Sequence, residues 1–406
     1  MSEISPARHG PRVRMRARAA DESDRRASQL ELLFDLTFVV AVASLTAQLA
    51  HGIAENHLAE SILPFLQVFF AIWWAWMNFT WFASAFDTDD PFYRLLTMLQ
   101  MGGVLLLGAG VPAAFNDGDF LTVTLGFIVM RIGLIAQWLR AAIEDPASRR
   151  TALRYALGFA VLQFGWVLRL VLQQAGLLPG QLQLAAFVML AILELTVPLW
   201  AERTGGSTWH PHHIAERYGL FAIILLGESV LAASNGVAAA LTSGGVSAYL
   251  ITVSAASLAL LFSLWWLYFL HPAGEALSAN RDKSYRWGYW HYAVFAALAA
   301  LGAGLEVAIT LAPTERQLDV QAFITGYCVA VPTAVFMGLV WAVHSPLTSR
   351  PIVRPAVILP AVGAVLAIPA SVSAIGVAGV VGGIAVVCAL VVAVTVLQPR
   401  HKPEAS

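Results

Sequence analysis

Long apolar runs alternate with short polar connections from one end of the chain to the other. Runs of about 20 residues, rich in Leu, Val, Ala and Phe, fall at about 30–50, 61–83, 93–115, 119–140, 152–175 and 181–201. They continue at about 214–235, 246–270, 287–312, 319–344, 352–372 and 375–397. A helix rises about 1.5 Å per residue, so a run of about 20 apolar residues spans the roughly 30 Å hydrocarbon layer of a bilayer. The pattern predicts an all-α, polytopic transmembrane bundle of about twelve helices. Only Pro369 and Ser371–Ser373 interrupt the last long apolar stretch, so eleven is the nearest alternative count.

Composition points the same way. Of 406 residues, 58% are hydrophobic and 12% charged, against about a quarter charged in soluble chains. The missing charge means that most of the surface faces lipid, so the bilayer itself is the first expected partner. A net charge of −1 gives no basis for a nucleic-acid partner. Cys328 and Cys388 sit inside apolar runs and read as small buried hydrophobes, with no disulfide framework or zinc motif.

Orientation follows from the basic residues of the connections, which the cytoplasmic side retains. The segment before the first run carries Arg8, Arg12, Arg14, Arg16, Arg18, Arg25 and Arg26. The even-numbered connections carry Arg94; Arg140, Arg149, Arg150 and Arg154; Arg203 and Arg217; Arg281, Lys283 and Arg286; Arg350 and Arg354. Arg400 and Lys402 follow the last run, and the odd-numbered connections hold Arg316 alone. This asymmetry predicts an inner-membrane protein with both termini cytoplasmic. Arg25-Arg26 ahead of an apolar run could open a twin-arginine export signal, but Glu31 and Asp35 fall where such a signal is apolar. Residues 1–28 read instead as a disordered basic cytoplasmic tail, and 399–406 as a second short tail.

Fixed-offset similarities suggest a duplication. Phe70-Ala71-Ile72-Trp73-Trp74-Ala75-Trp76 is echoed by Phe262-Ser263-Leu264-Trp265-Trp266-Leu267-Tyr268, an offset of 192. Tyr93-Arg94 and Tyr285-Arg286 share that offset. Leu107–Gly110 recurs as Leu301–Gly304, at 194, and Glu31 pairs with Glu216, at 185. The expected organisation is two parallel six-helix repeats, 29–203 and 204–398.

Two segments carry a family resemblance. Glu31-Leu32-Leu33-Phe34-Asp35-Leu36-Thr37-Phe38 is the first. His212-His213-Ile214-Ala215-Glu216-Arg217-Tyr218-Gly219, running into Leu226-Gly227-Glu228-Ser229, is the second. Both resemble the bacterial low temperature requirement A family, which implies a multi-pass bacterial membrane protein linked by name to growth in the cold. The resemblance implies no substrate. Phe34-Asp35 followed by Phe38-Val39-Val40 is also similar in texture to the opening helix of endolysosomal two-repeat potassium channels. Here no arginine stands four residues before Phe34, no serine separates Phe34 from Asp35, and the seventh run lacks the aspartate.

Ionisable groups inside the runs are the candidate site. A charge at mid-bilayer costs about 2.5–3.5 kcal/mol on insertion scales, so such groups face an interior. The substrate- or ion-binding candidates are Glu31, Asp35, Arg131, Glu194, Glu216 and Glu228. Glu31 and Asp35 share a helix face four residues apart. Glu228 falls near mid-depth beside Gly227, which would let a backbone or ion approach. Arg131 needs a carboxylate, with Asp35, Glu194 and Glu228 as alternatives. Arg169 either pairs or snorkels outward, and Glu306 falls near the outer end of its run. Glu228 and Asp35 are expected to face one shared cavity, with Arg131 neutralising one of them.

The remaining polar and aromatic groups have ordinary readings beside functional ones. His210, His212, His213 and Glu216 have the density of metal ligands, yet they lack a second ligand pair, and no metal or cofactor is expected. His291 reads as a packed or interfacial histidine. The tryptophan pairs read as an interfacial belt or a stacking surface, and Gly376, Gly379 and Gly383 as close helix packing. No HExxH, GxSxG or P-loop motif is present, so no enzyme activity is expected. The leading expectation is a secondary transporter or permease of an unknown small solute or ion. A cation channel and a membrane sensor involved in cold adaptation are the alternatives, and oligomeric state is open.

Overall fold

The structure is a computed structural model that describes residues 12–19, 22, 25–205, 208–310, 318–348 and 351–398. Of the basic residues used for orientation, Arg8, Arg316, Arg350, Arg400 and Lys402 lie outside these, as does the tail 399–406. Among the described residues the chain is helical, with no strand.

The long helices are α1 (Gln29–Ala54), α2 (Leu58–Phe86), α3 (Pro91–Ala109), α4 (Leu121–Glu144), α5 (Arg149–Gln174) and α6 (Gly180–Ala201). After them come α7 (Pro211–Gly244), α8 (Ala248–Phe269), α9 (Ser284–Thr310), α10 (Leu318–His344), α11 (Pro355–Ala367) and α12 (Val372–Leu397). Local chemistry marks the starts. Asp90 caps α3, its side chain accepting from the Tyr93 amide, with Pro91 in the first turn, and Ser247 caps α8 through the Leu250 amide.

Eleven helices are long and apolar enough to cross a membrane among the described residues, the last of them running over Pro355–Leu397 as 43 residues. That run is not straight. Gly376 has φ 67° and ψ 173°, a region open essentially to glycine alone. A methyl placed on Gly383 would sit 3.4 Å from the Ile368 side chain, although a continuous helix would part these residues by about 22 Å. The chain therefore doubles back at Gly376. Each arm is about 31 Å long, enough for one crossing. The expected break at Pro369–Ser373 is a single 3-10 turn, Ile368–Ser371, and the reversal comes a few residues later.

The polar pattern is inverted relative to a soluble helix. On α1, Leu32, Leu36 and Val40 are exposed while Glu31, Asp35, Phe34 and Phe38 are buried. Leu36 is 59% exposed and Asp35 2%, an arrangement that only a lipid solvent favours.

The chain forms two compact units. The first holds the chain up to Ala41 together with Phe70–Arg217, and the second holds Val42–Phe69 and the chain from Tyr218 on. The division between these units falls inside α7, between Arg217 and Tyr218, and the segment 42–69 counts with the second unit. In the first unit α3 packs on α4, α4 on α5 and α5 on α6. In the second α9 packs on α10, α10 on α11, α11 on α12 and α12 on α8. The tightest pairs depend on glycine. A side chain on Gly126 would strike the backbone of Leu107 across α3–α4, and one on Gly304 the Cys328 carbonyl across α9–α10.

The N-terminal segment departs from expectation. Residues 12–19 and 25–28 pack against the first unit. Met15 is fully buried, its amide donating to Glu144 Oε2 at 2.6 Å, and the Arg18 amide donates to the Ala85 carbonyl at 2.9 Å. The disordered-tail reading fails over these residues because acceptors at the ends of α2 and α4 satisfy their backbone.

Candidate functional site

In the first unit, three helices each bring two residues four apart to one point. Glu31 and Asp35 come from α1, His213 and Arg217 from α7, and Trp76 and Thr80 from α2. Local sequence sets the first pair. Ser28 and Glu31 form a reciprocal cap, the Ser28 amide donating to Glu31 Oε2 at 2.6 Å and the Glu31 amide to Ser28 Oγ at 3.3 Å. This leaves Glu31 Oε1 aimed inward. It meets Arg217 Nη1 at 3.1 Å, His213 Nε2 at 3.1 Å and Arg25 Nη2 at 3.5 Å.

One turn deeper, Asp35 Oδ1 accepts from Arg217 Nη2 at 2.6 Å and from Trp76 Nε1 at 2.7 Å. Arg217 also reaches Thr80 Oγ1 at 3.4 Å. Glu31, His213 and Arg217 have no exposed surface. One guanidinium thus holds two carboxylates in a buried interior, where each charge depends on the others. Arg25 closes the cluster, donating to the Ala83 carbonyl at 3.2 Å and standing 3.6 Å from Asp87 Oδ2.

Asp87 lies beyond the end of α2. Burial, joined by the nearby Glu31 charge, pushes its carboxyl up to about 6, against the pull of Arg25 and Arg18. A carboxyl raised in the folded state contributes stability that is fully present below its unfolded value near 3.8 and is lost as pH rises through about 6. Between pH 5 and pH 7, wild-type protein is therefore expected to lose about 1 kcal/mol that Asp87→Asn does not lose. Thermal midpoints of both proteins in detergent at the two pH values measure this. Parallel pH dependence in the two would show that Asp87 carries no such shift. On the same side, Asp90 is held low: burial opposes its charge, but Arg140, at 2.8 Å and 2.5 Å, and the Tyr93 and Val13 amides outweigh it.

A second ion pair occupies the interior of the same unit. Arg131 on α4 donates to Glu194 Oε2 on α6 at 2.6 Å. Trp74 Nε1 reaches the same oxygen at 2.8 Å, and Trp166 Nε1 reaches Oε1 at 3.2 Å. The Arg131 guanidinium lies over Phe159 and Phe127, 4.2 and 4.8 Å from the ring centres. Of the three partners open to Arg131, the structure selects Glu194. The expectation that Arg131 would neutralise Asp35 or Glu228 is overturned, because Arg217 holds Asp35. Arg169 is buried rather than snorkelled, over Phe187 and 3.5 Å from the Gln183 carbonyl.

Neither Glu216 nor Glu228 belongs to the two ion clusters of the first unit. Glu216 is exposed and accepts from the Ala27 amide at 3.2 Å, because it points away from the face that carries His213 and Arg217. His212 is exposed as well, and no group of metal-ligating side chains is present among the described residues. Glu228 lies in the second unit, 6% exposed, with Oε2 lacking a hydrogen-bond partner. Gly227 beside it faces open space, so it mediates no close approach.

A sequence model of the bacterial low temperature requirement A protein matches residues 26–396. The chain belongs to that family. It is therefore a multi-pass membrane protein of a bacterial family. It is also 28% identical over 268 residues to an uncharacterized protein of Rhizobium meliloti (strain 1021), a match covering 64% of this chain and 62% of the relative. The chain thus spans less than two thirds of that relative's length. Both stretches that carry the family resemblance contribute to one cluster: Glu31 and Asp35 from the first, His213 and Arg217 from the second. Sequence reasoning missed Arg217, counting it as a connection charge. The signal was present, since His213 and Arg217 repeat on α7 the spacing of four that joins Glu31 to Asp35.

Proposed function

We propose that this protein is a secondary transporter of the bacterial inner membrane, with both termini cytoplasmic, whose cycle turns on protonation of the Glu31–Asp35 pair. The observation that carries this reading is Arg217, shared between two buried carboxylates with His213 alongside. A proton taken up by either carboxylate removes half of what Arg217 balances and frees guanidinium donors for an incoming solute or for a rearranged pairing. Buried ion pairs stabilise little for their desolvation cost, so a cluster this dense within membrane-spanning helices favours function over mere stability. Its full burial favours an occluded carrier over a channel, whose acidic groups would line an open pore. The reversal at Gly376 supports an even number of crossings, and with it the orientation taken from the arginine asymmetry. Glu228, with its partnerless oxygen, is a third carboxylate assigned to the cycle.

The test is flux into proteoliposomes under an imposed pH gradient, screened across ions and small metabolites. Asp35→Asn keeps the side-chain shape and an acceptor for Trp76. It is expected to bring proton-driven uptake to background while the thermal midpoint stays within a few degrees of wild type. Wild-type uptake by this variant would make the carboxylate structural and sink the reading.

A further inference from the structure

The second unit holds a cleft that no part of the transport reading uses. It lies between the start of α9 and the end of α10, where Ser345–Leu347 continues as a 3-10 turn, and has a volume of about 260 Å³. One wall carries Lys283, at the end of the 3-10 turn Arg281–Lys283, and Arg286, Trp287 and Trp290 of α9, together the spacing of one helical stripe. The facing wall includes Val343 and Leu347. One end is therefore cationic and the length apolar, and no carboxylate lines it among the described residues.

The cations are differently committed. Lys283 Nζ donates to Asn280 Oδ1 and to the Pro346 carbonyl, both at 2.8 Å, which pins it at the cleft mouth with one donor left. Arg286 is exposed and has neither an ion pair nor a hydrogen bond among the described residues. The floor is rigid, because buried Trp287 donates to His344 Nε2 at 3.4 Å and His344 Nδ1 meets the Val340 carbonyl at 2.9 Å. Trp290 is 53% exposed along the apolar wall.

We infer that this cleft binds a phospholipid with an anionic headgroup. The phosphate sits on Arg286 and the free donor of Lys283, and the first part of an acyl chain lies between Trp290 and Val343–Leu347. Charge complementarity favours an anionic over a zwitterionic lipid, since two cations meet no counter-charge. Basic pockets between helices at the cytoplasmic side bind such headgroups, and tryptophan marks the same depth. A soluble anion would satisfy the cations alone and leave the apolar groove without a role.

The experiment uses the full chain in detergent and needs no knowledge of transport. Native mass spectrometry is run with phosphatidylglycerol, with phosphatidylcholine of the same chains, and with inorganic phosphate. Wild-type protein is expected to retain one phosphatidylglycerol at least tenfold more tightly than phosphatidylcholine. Arg286→Gln, at an exposed position, is expected to lower that affinity about tenfold and leave the thermal midpoint of lipid-free protein unchanged. Trp290→Ala is expected to weaken phosphatidylglycerol but not phosphate. Equal retention of the two lipids by wild type, or unchanged phosphatidylglycerol affinity in Arg286→Gln, overturns the assignment. So does binding of phosphate that Arg286→Gln abolishes without any lipid preference.

Discussion

Arg217→Leu is expected to leave little folded protein in the membrane. The guanidinium stands 2.6 Å from Asp35 and 3.1 Å from Glu31, and neither carboxylate has more than 2% exposure. Removing one partner of a buried pair typically costs about 3–5 kcal/mol, because the remaining charge stays buried without compensation. Here two carboxylates lose the same partner. His213 and Arg25 still face Glu31, so Asp35, left with the Trp76 indole, carries most of the loss. Arg217→Lys is expected to recover only part of it, since an ammonium is a point charge and cannot fork between two carboxylates one helical turn apart. Asp35→Asn added to the Arg217→Leu variant should restore stability by removing the stranded charge. Thermal unfolding in detergent, read beside the amount of protein in membranes, measures all three. An Arg217→Leu protein as stable as wild type would show that the carboxylates are not balanced by Arg217.

The fold class could be read from the chain because lipid imposes a one-dimensional rule: about 20 apolar residues per crossing, with charge confined to the connections. Where that rule is local, it worked, and the i, i+4 face shared by Glu31 and Asp35 follows from spacing alone. Pairing between helices is decided by three-dimensional packing, which apolar periodicity does not encode. Arg217 looked like a loop charge because it lies six residues into α7, close enough to a polar connection to enter the orientation tally. Glu216, its neighbour, looked equivalent to Glu31, yet one residue turns a helix by about 100° and puts it on the exposed face. Trp74 and Trp76 read as belt or stacking aromatics, whereas each spends its indole N–H on a buried carboxylate. Trp265 and Trp266, exposed on α8, do suit a belt. The N-terminal segment misled for another reason. Its arginines are typical of a solvated tail, but Glu144, Asp145 and Asp90 give it acceptors that composition cannot reveal.

Arg131 and Glu194 offer the sharper division between structure and transport, because their pair can be removed as a whole. Arg131→Leu is expected to cost about 3–5 kcal/mol. It leaves Glu194 buried with two indole donors, and indole N–H groups stabilise a carboxylate without neutralising it. Glu194→Leu strands the arginine instead. Its stacking on Phe127 and Phe159 offsets part of that loss, since a cation over aromatic rings gains about 2 kcal/mol when desolvated. The double variant carries no buried charge at this point. Replacing both partners of such a pair by apolar side chains is often neutral or stabilising, although Trp74 and Trp166 then lose an acceptor at about 1–3 kcal/mol each. The double variant is therefore expected to be more stable than Arg131→Leu, with the two substitutions strongly coupled in a thermal-unfolding cycle. Additive losses would mean that the pair does not interact as described. Flux separates the roles once stability is restored. If the double variant folds and still carries proton-driven uptake, Arg131 and Glu194 hold the first unit together and the cycle belongs to Glu31, Asp35 and Arg217. If it folds and transports nothing, the pair belongs to the transport site as well.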